Sequence, residues 1–110
     1  MNLDHETALR AYTQLSQTRL SDLRKSLLKA AVRYTAIRAE WHFMSVIEKM
    51  AADPGRTIAH NRFIDACNIL SREQVRIGED AGWRAEIGTE RKQIGDFACW
   101  VNCWVAISER

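Results

Sequence analysis

Residues 20–44 carry the pattern that decides the fold, LSDLRKSLLKAAVRYTAIRAEWHFM. Within this stretch, apolar side chains recur at alternating steps of three and four residues, which is the a/d spacing of a heptad repeat. The positions are Leu20, Leu23, Leu27, Ala30, Tyr34, Ile37, Trp41 and Met44. The pattern predicts one long heptad-patterned helix, over about 22–52, with coiled-coil-like packing against other helices.

A second apolar stripe follows the same predicted helix. It consists of Leu28, Val32, Ala36, Ala39, Phe43, Val46 and Met50. At about 100° per residue, it lies roughly 160° from the heptad stripe. A helix on the surface of a monomeric bundle needs only one apolar stripe, so the second one predicts burial against another chain. The alternative is a compact monomer whose own helices cover both stripes.

The segment before this helix predicts another helix that begins at Asp4. Residues 17–21 are a weak interruption, and one continuous helix over 4–52 is the alternative. The sequence Asp53-Pro54-Gly55 is expected to end the long helix, because proline lacks the N–H that a helix interior needs.

Two further helices are expected after this break. The third covers about 57–77, with Thr57 as its N-cap and with Ala59, Phe63, Cys67 and Leu70 on one face. The last begins near Ala81 or near Thr89 and ends near Ser108. Gly88 and Gly95 lie one heptad apart. They predict either a close approach of two backbones or a helix that starts after Gly88.

Length and composition agree with one all-α domain over 1–110. Apolar residues make up 46% of the chain and charged residues 27%, with a net charge of +2, which excludes a disordered, highly charged chain. A single proline and five glycines argue against an all-β fold, which needs frequent turns. We therefore expect a helical bundle of three to four helices.

Cysteine use and the N-terminal sequence bear on the compartment. Three cysteines, Cys67, Cys99 and Cys103, do not suggest a disulfide framework, and we expect all three as buried free thiols. The start of the sequence lacks the basic and apolar segments of a signal peptide. The longest nearly apolar run, 97–107, is shorter than the about 20 residues of a membrane span. These features predict a cytoplasmic protein without a membrane segment.

The last helix predicts where a partner binds, because residues 97–107 are apolar on nearly all sides. Trp104 lies on the main apolar stripe, whereas Trp100 is displaced from it by about 40° or more and is the better anchor for a partner. The predicted interface comprises Trp100, Cys103, Trp104 and Ile107, with Leu28, Val32 and Phe43 of the second stripe as the other candidate surface.

No set of residues predicts catalysis, a cofactor or a metal. The histidines His5, His42 and His60 are isolated, and the sequence Gly78-Glu-Asp-Ala-Gly82 lacks the Lys-Ser/Thr that follows in a phosphate-binding loop. Cys99 and Cys103 share a helix face, but nothing completes four zinc ligands. The expectation is a protein that is not an enzyme.

A basic flank of the long helix offers the alternative function. Lys25, Lys29 and Arg33 recur at steps of four residues, and Arg24 adjoins them, so the strip could hold phosphates of a nucleic acid. The leading interpretation is a non-enzymatic protein–protein interaction module. It forms a homo-oligomer, with a dimer favoured, or binds another helical protein. A nucleic-acid-associated regulatory protein is the alternative.

Overall fold

A computed structural model describes the backbone of residues 5–108 and the side chains of residues 10–11 and 14–103. Four helices make up most of this described part: α1 (His5–Trp41), α2 (Val46–Arg76), α3 (Gly82–Ile87) and α4 (Arg91–Ser108). No strand occurs between residues 5 and 108. The expectation of an all-α bundle of three to four helices is therefore confirmed.

The first helix differs in its bounds from the helix predicted over 22–52. α1 runs from His5 to Trp41 without a break, because this segment lacks glycine and proline and is rich in good helix formers. The interruption predicted at 17–21 is therefore wrong. The heptad stripe is confirmed as the packing face: Leu20 and Tyr34 are buried, and its other positions are buried or half-buried.

A capping box begins α2 immediately after a short turn at residues 42–45. The Ser45 hydroxyl accepts a hydrogen bond from the Glu48 backbone N–H at 3.2 Å, and the Glu48 carboxylate accepts one from the Ser45 backbone N–H at 3.0 Å. Both bonds satisfy N–H groups that a helix start leaves unpaired. The backbone bond from Ser45 also holds the pKa of Glu48 below its usual range.

Pro54 lies inside α2, so the predicted helix end at Asp53-Pro54-Gly55 is wrong. Thr57 is likewise an interior residue of α2 and not an N-cap. An interior proline costs about 3 kcal/mol, because it removes a backbone hydrogen bond and clashes with the preceding turn. Residues on both sides of Pro54 pack against the end of α1: Lys49 Nζ lies 5.9 Å and the Arg56 guanidinium 4.3 Å from the centroid of the Trp41 ring.

α1 and α2 form an antiparallel hairpin. Near one end, Arg19 Nε lies 3.6 Å from a carboxylate oxygen of Glu73, and near the other, the Arg56 guanidinium lies 4.3 Å from the centroid of the Trp41 ring. Between them, the core consists of Leu20, Leu27, Ala31 and Tyr34 from α1, Ala59, Phe63, Cys67 and Leu70 from α2, and Ile94, Ala98 and Val101 from α4. The hairpin is therefore the frame on which the rest packs.

The remaining chain folds back over the hairpin as two helices. Gly88, with φ +76°, is the C-cap of α3, a backbone conformation that favours glycine. A separate helix starting after Gly88 was one of the two predicted alternatives, and it is the one observed. Although residues 97–107 are nearly apolar, no helix in the described residues has the length and apolarity that a membrane crossing needs.

The Arg38 side chain of α1 packs against α4 in the space that is left because Gly95 has no side chain. A Cβ atom at Gly95 would overlap the Arg38 guanidinium. From this position, Arg38 Nη1 donates to Cys99 Sγ at 3.6 Å and lies 3.7 Å from a carboxylate oxygen of Asp96. The Arg38 side chain, and not a second backbone, therefore occupies the space at Gly95, which differs from the predicted approach of two backbones.

Because Pro54 lies inside α2, we expect its replacement to stabilise the protein. Pro54→Ala should raise the free energy of unfolding by about 2 kcal/mol, because a helix-interior proline is replaced by a good helix former. Gly55→Ala should add about 1 kcal/mol, since nothing lies within 4 Å of the added Cβ. Gly78→Ala, at φ +84°, should instead destabilise the fold. Urea unfolding of the three variants measures this, and an unchanged Pro54→Ala midpoint would place a helix end at residue 54.

Packing of Arg38 on Gly95 predicts an energetic coupling between the two residues. In an Arg38→Ala background, Gly95→Ala should stabilise the fold by about 1 kcal/mol, the usual difference in helix propensity. With Arg38 present, the gain should be smaller by at least about 0.5 kcal/mol, because the guanidinium must move. Gly55→Ala is the control and should give the same gain in both backgrounds. Equal gains for Gly95→Ala in both backgrounds would contradict this contact.

Candidate functional site

An apolar groove of about 750 Å³ runs between α1 on one side and α3 and α4 on the other. Apolar and aromatic side chains form most of its lining, as is common in binding sites. They are Leu27 and Leu28 from α1, Leu70 from α2, Trp83 and Ile87 from α3, and Phe97, Trp100 and Val101 from α4. Arg24, Glu86, Gln93 and Asp96 complete the lining. The groove thus combines an apolar surface with charged groups.

Three stacked aromatic rings form one wall of the groove. The Phe97 ring stacks against Trp83 and against Trp100, with centroids 5.9 Å apart in both pairs. The inner end of this stack is fixed, since Trp83 Nε1 donates to Gln74 Oε1 at 2.7 Å and Phe97 also contacts buried Phe63. Its outer member, Trp100, is 61% exposed. A large ring is therefore held in a defined orientation while much of its area faces solvent.

The structure brings two of the predicted interface residues together. Leu28 from the second stripe and Trp100 from the last helix line the same groove, although they are 72 positions apart in the sequence. Val32, one turn farther along α1, is 47% exposed, and Cys103 is also exposed. The predictions for Trp104 and Ile107 concern side chains outside the described residues.

The rest of the second stripe does not lie on one helix, which corrects the prediction. Phe43 is in the turn between α1 and α2, and Val46 and Met50 belong to α2. Together with Ile47 they form an exposed cluster, here called the hairpin tip, with exposed fractions of 73–91%. With a rise of 1.5 Å per residue, Phe43 is about 22 Å from Leu28 along the axis of α1. Within the described residues, the groove and the hairpin tip are therefore separate apolar surfaces.

Sequence reasoning missed the contributions of Trp83, Ile87 and Ile47 to these surfaces. Trp83 and Ile87 belong to α3, and their place beside α1 depends on the turn at Gly88. Ile47 is exposed in the first turn of α2, which begins directly after the N-cap Ser45. The sequence Ser45-x-x-Glu48 was an available signal for that start, but the expected break at Pro54 obscured it.

The charged residues predicted as a nucleic-acid contact lie along α1. Lys25, Lys29 and Arg33 are exposed, whereas Arg24 Nη2 lies 3.3 Å from a Glu79 carboxylate oxygen and lines the groove. The pair between Arg24 and Glu79 is itself partly exposed, and such a pair contributes little to stability. The basic strip therefore borders the groove along its α1 wall.

The three cysteines have different environments, which corrects the expectation that all are buried. Cys67 is buried, Cys99 is half-buried and Cys103 is exposed. Burial raises the pKa of the Cys67 thiol to about 11, against an opposing effect of the nearby Arg84 charge. Among the described side chains, no group of three or more His, Cys, Asp or Glu residues is arranged to hold a metal ion.

Comparisons with protein-family models, with characterised proteins and with solved structures find no match for this chain. Its function is therefore argued from the groove, the hairpin tip and the charges around them.

The cysteine environments predict an order of reactivity toward a thiol reagent at neutral pH. Cys103 should react first, because it is exposed, and Cys67 should react last, because its pKa of about 11 leaves little of the reactive thiolate. Mass spectrometry of partly labelled protein gives the order, with urea-unfolded protein as the control in which all three react. Labelling of Cys67 before Cys103 would contradict the packing of α2 described above.

Proposed function

We propose that this protein is a non-enzymatic protein–protein interaction module that self-associates through the groove containing Trp100. The observation that carries the proposal is the 61% exposure of Trp100 on a wall of stacked aromatic rings. Tryptophan is among the residues most enriched at the energetic centres of protein interfaces. A ring held by Phe97 and Trp83 also loses little conformational freedom when a partner covers it.

The shape of the chain supports association. Its radius of gyration is 17.8 Å, whereas a compact domain of 110 residues has about 13 Å. It exposes 8122 Å² of surface, about 1,900 Å² more than expected for a compact monomer of its mass. A standard interface buries about 800 Å² on each partner. The excess surface can thus accommodate such an interface.

The groove is better suited to an interface than the hairpin tip. The groove is concave, with an aromatic wall from α3 and α4 facing leucine side chains of α1, so a partner can be enclosed on several sides. The hairpin tip is a convex cluster around a short turn. Phe43, at 91% exposure, makes few contacts within the chain that would orient its ring. We therefore assign the main interface to the groove.

Self-association and its dependence on Trp100 can be measured together. Light scattering should give a multiple of 12.7 kDa for the wild type. Trp100→Ala should weaken association by about 30-fold or more, as for a central interface tryptophan. The folding of the dilute monomer should lose at most about 1.5 kcal/mol, from the stacking on Phe97.

Phe43→Ala is the matched control, because it removes an even more exposed aromatic ring from the hairpin tip. It should leave the mass unchanged. A wild type that stays at 12.7 kDa at all concentrations would contradict self-association. Loss of association in Phe43→Ala, with Trp100→Ala unaffected, would move the interface to the hairpin tip.

The exposed strip of Lys25, Lys29 and Arg33 supports a second candidate function, a nucleic-acid-associated regulatory protein. Residues 19–38 contain six Lys/Arg and one Asp, so this part of α1 presents a positive potential that attracts phosphates. Retention of the protein on double-stranded DNA that weakens steeply with added salt, and disappears in Lys25→Glu/Lys29→Glu, would support it.

A further inference from the structure

We propose that the occupant of the groove is a second copy of this chain, related by a twofold axis, with the basic side of α1 in each copy facing the acidic side of α3 in the other. The proposal rests on the self-association proposed above and specifies its geometry. Leu28 and Trp100 would form the apolar centre of this interface, and the charges would form its rim.

The two sides of the groove carry opposite charge. The basic side consists of Arg24, Lys25, Lys29 and Arg33, within a segment (residues 19–38) whose net charge is +5. The acidic side consists of Glu79, Asp80, Glu86 and Glu90, within a segment (residues 79–90) whose net charge is −3. Arg24 lines the groove from α1 and Glu86 from α3, and the two sides meet where Arg24 pairs with Glu79.

Most of these charges are available to a partner. Lys25 lies about 60° around α1 from Leu28, and Lys29 about 100°, so both point beyond the apolar lining toward solvent. Glu86 and Glu90 are exposed as well. Arg24 pairs with Glu79 within the chain, and Asp80 accepts the Gly82 backbone N–H at 2.9 Å. Lys25, Lys29, Glu86 and Glu90 are therefore the residues with which we test the rim.

A twofold axis matches this charge distribution. In a twofold interface the same patch meets itself, and an axis that runs along the groove places the basic side of one copy against the acidic side of the other, and the reverse. Opposite charges at the rim then favour the correct partner and its orientation. A nucleic acid or another polyanion would be attracted by the basic side but repelled by the acidic side across the groove. An apolar small molecule would leave both charged sides unused.

Charge reversal on each side provides the test. Lys25→Glu/Lys29→Glu makes both sides acidic, and Glu86→Lys/Glu90→Lys makes both sides basic. Each variant alone should self-associate about tenfold or more weakly than the wild type, because like charges face each other twice. An equimolar mixture of the two should recover affinity to within about threefold of the wild type, because every facing pair is again of opposite sign. Sedimentation equilibrium measures all three states.

The matched control is Arg62→Glu/Arg72→Glu. These two residues are exposed on α2, and their reversal changes the net charge as much as that of Lys25 and Lys29. It should leave association unchanged. Circular-dichroism melting checks that every variant is folded. If a reversal variant is not folded, Lys29→Gln and Glu86→Gln replace the pair, and each should weaken association by about threefold, with a stronger dependence on added salt in the wild type than in either.

The outcomes separate this inference from the proposed function. A monomeric wild type contradicts the self-association itself. An associating wild type whose two reversal variants associate equally well, or do not recover on mixing, contradicts the twofold arrangement and leaves self-association standing. Loss of DNA retention in Lys25→Glu/Lys29→Glu, with unchanged self-association, would also overturn the inference, because the basic side would then serve a nucleic acid.

Discussion

The seam between α1 and α2 is the constraint on which the rest of the structure depends. Tyr34 and Phe63 are completely buried there, with ring centroids 6.3 Å apart, and the heptad spacing keeps one side of α1 on this seam from Leu20 to Trp41. Because the seam uses a single side of α1, the opposite side is left for whatever the remaining residues can cover. α4 packs beside the seam through Arg38, and Val32, Ala36 and Ala39 on the opposite side are exposed.

The groove lies where α3 and α4 leave part of α1 uncovered. α4 packs on α1 through Ile94, Ala98 and Val101, and Arg38 holds its first half through the space at Gly95. Trp100 lies on the outer side of α4, since the helical period turns it away from the buried stripe. Phe97 stacks on its ring, and Trp83 stacks on Phe97. An exposed tryptophan of this kind is thus a consequence of helix geometry.

Like the apolar residues, the charged residues are unevenly distributed over the molecule. The excess of basic residues lies on α1, and the excess of acidic residues lies in and around α3. The small overall charge of +2 conceals this separation, because it sums two segments that the fold places on opposite sides of one groove. The local field, and not the total charge, is what a partner encounters on approach.

Periodicity in the sequence determined that the protein is all-helical, which residues of α1 face the core, and that Trp100 lies off the main stripe of the last helix. These properties depend on neighbours three and four residues apart, which a single chain displays directly. Where the second helix begins depended on a competition between the capping box at Ser45 and Pro54. Lys49 and Arg56, on either side of Pro54, both lie against the Trp41 ring of α1, and contacts of this kind exist only after folding. The meeting of Leu28 with Trp100, and the separation of both from Phe43, were likewise decided by tertiary structure, because contacts between distant segments leave no local period in the sequence.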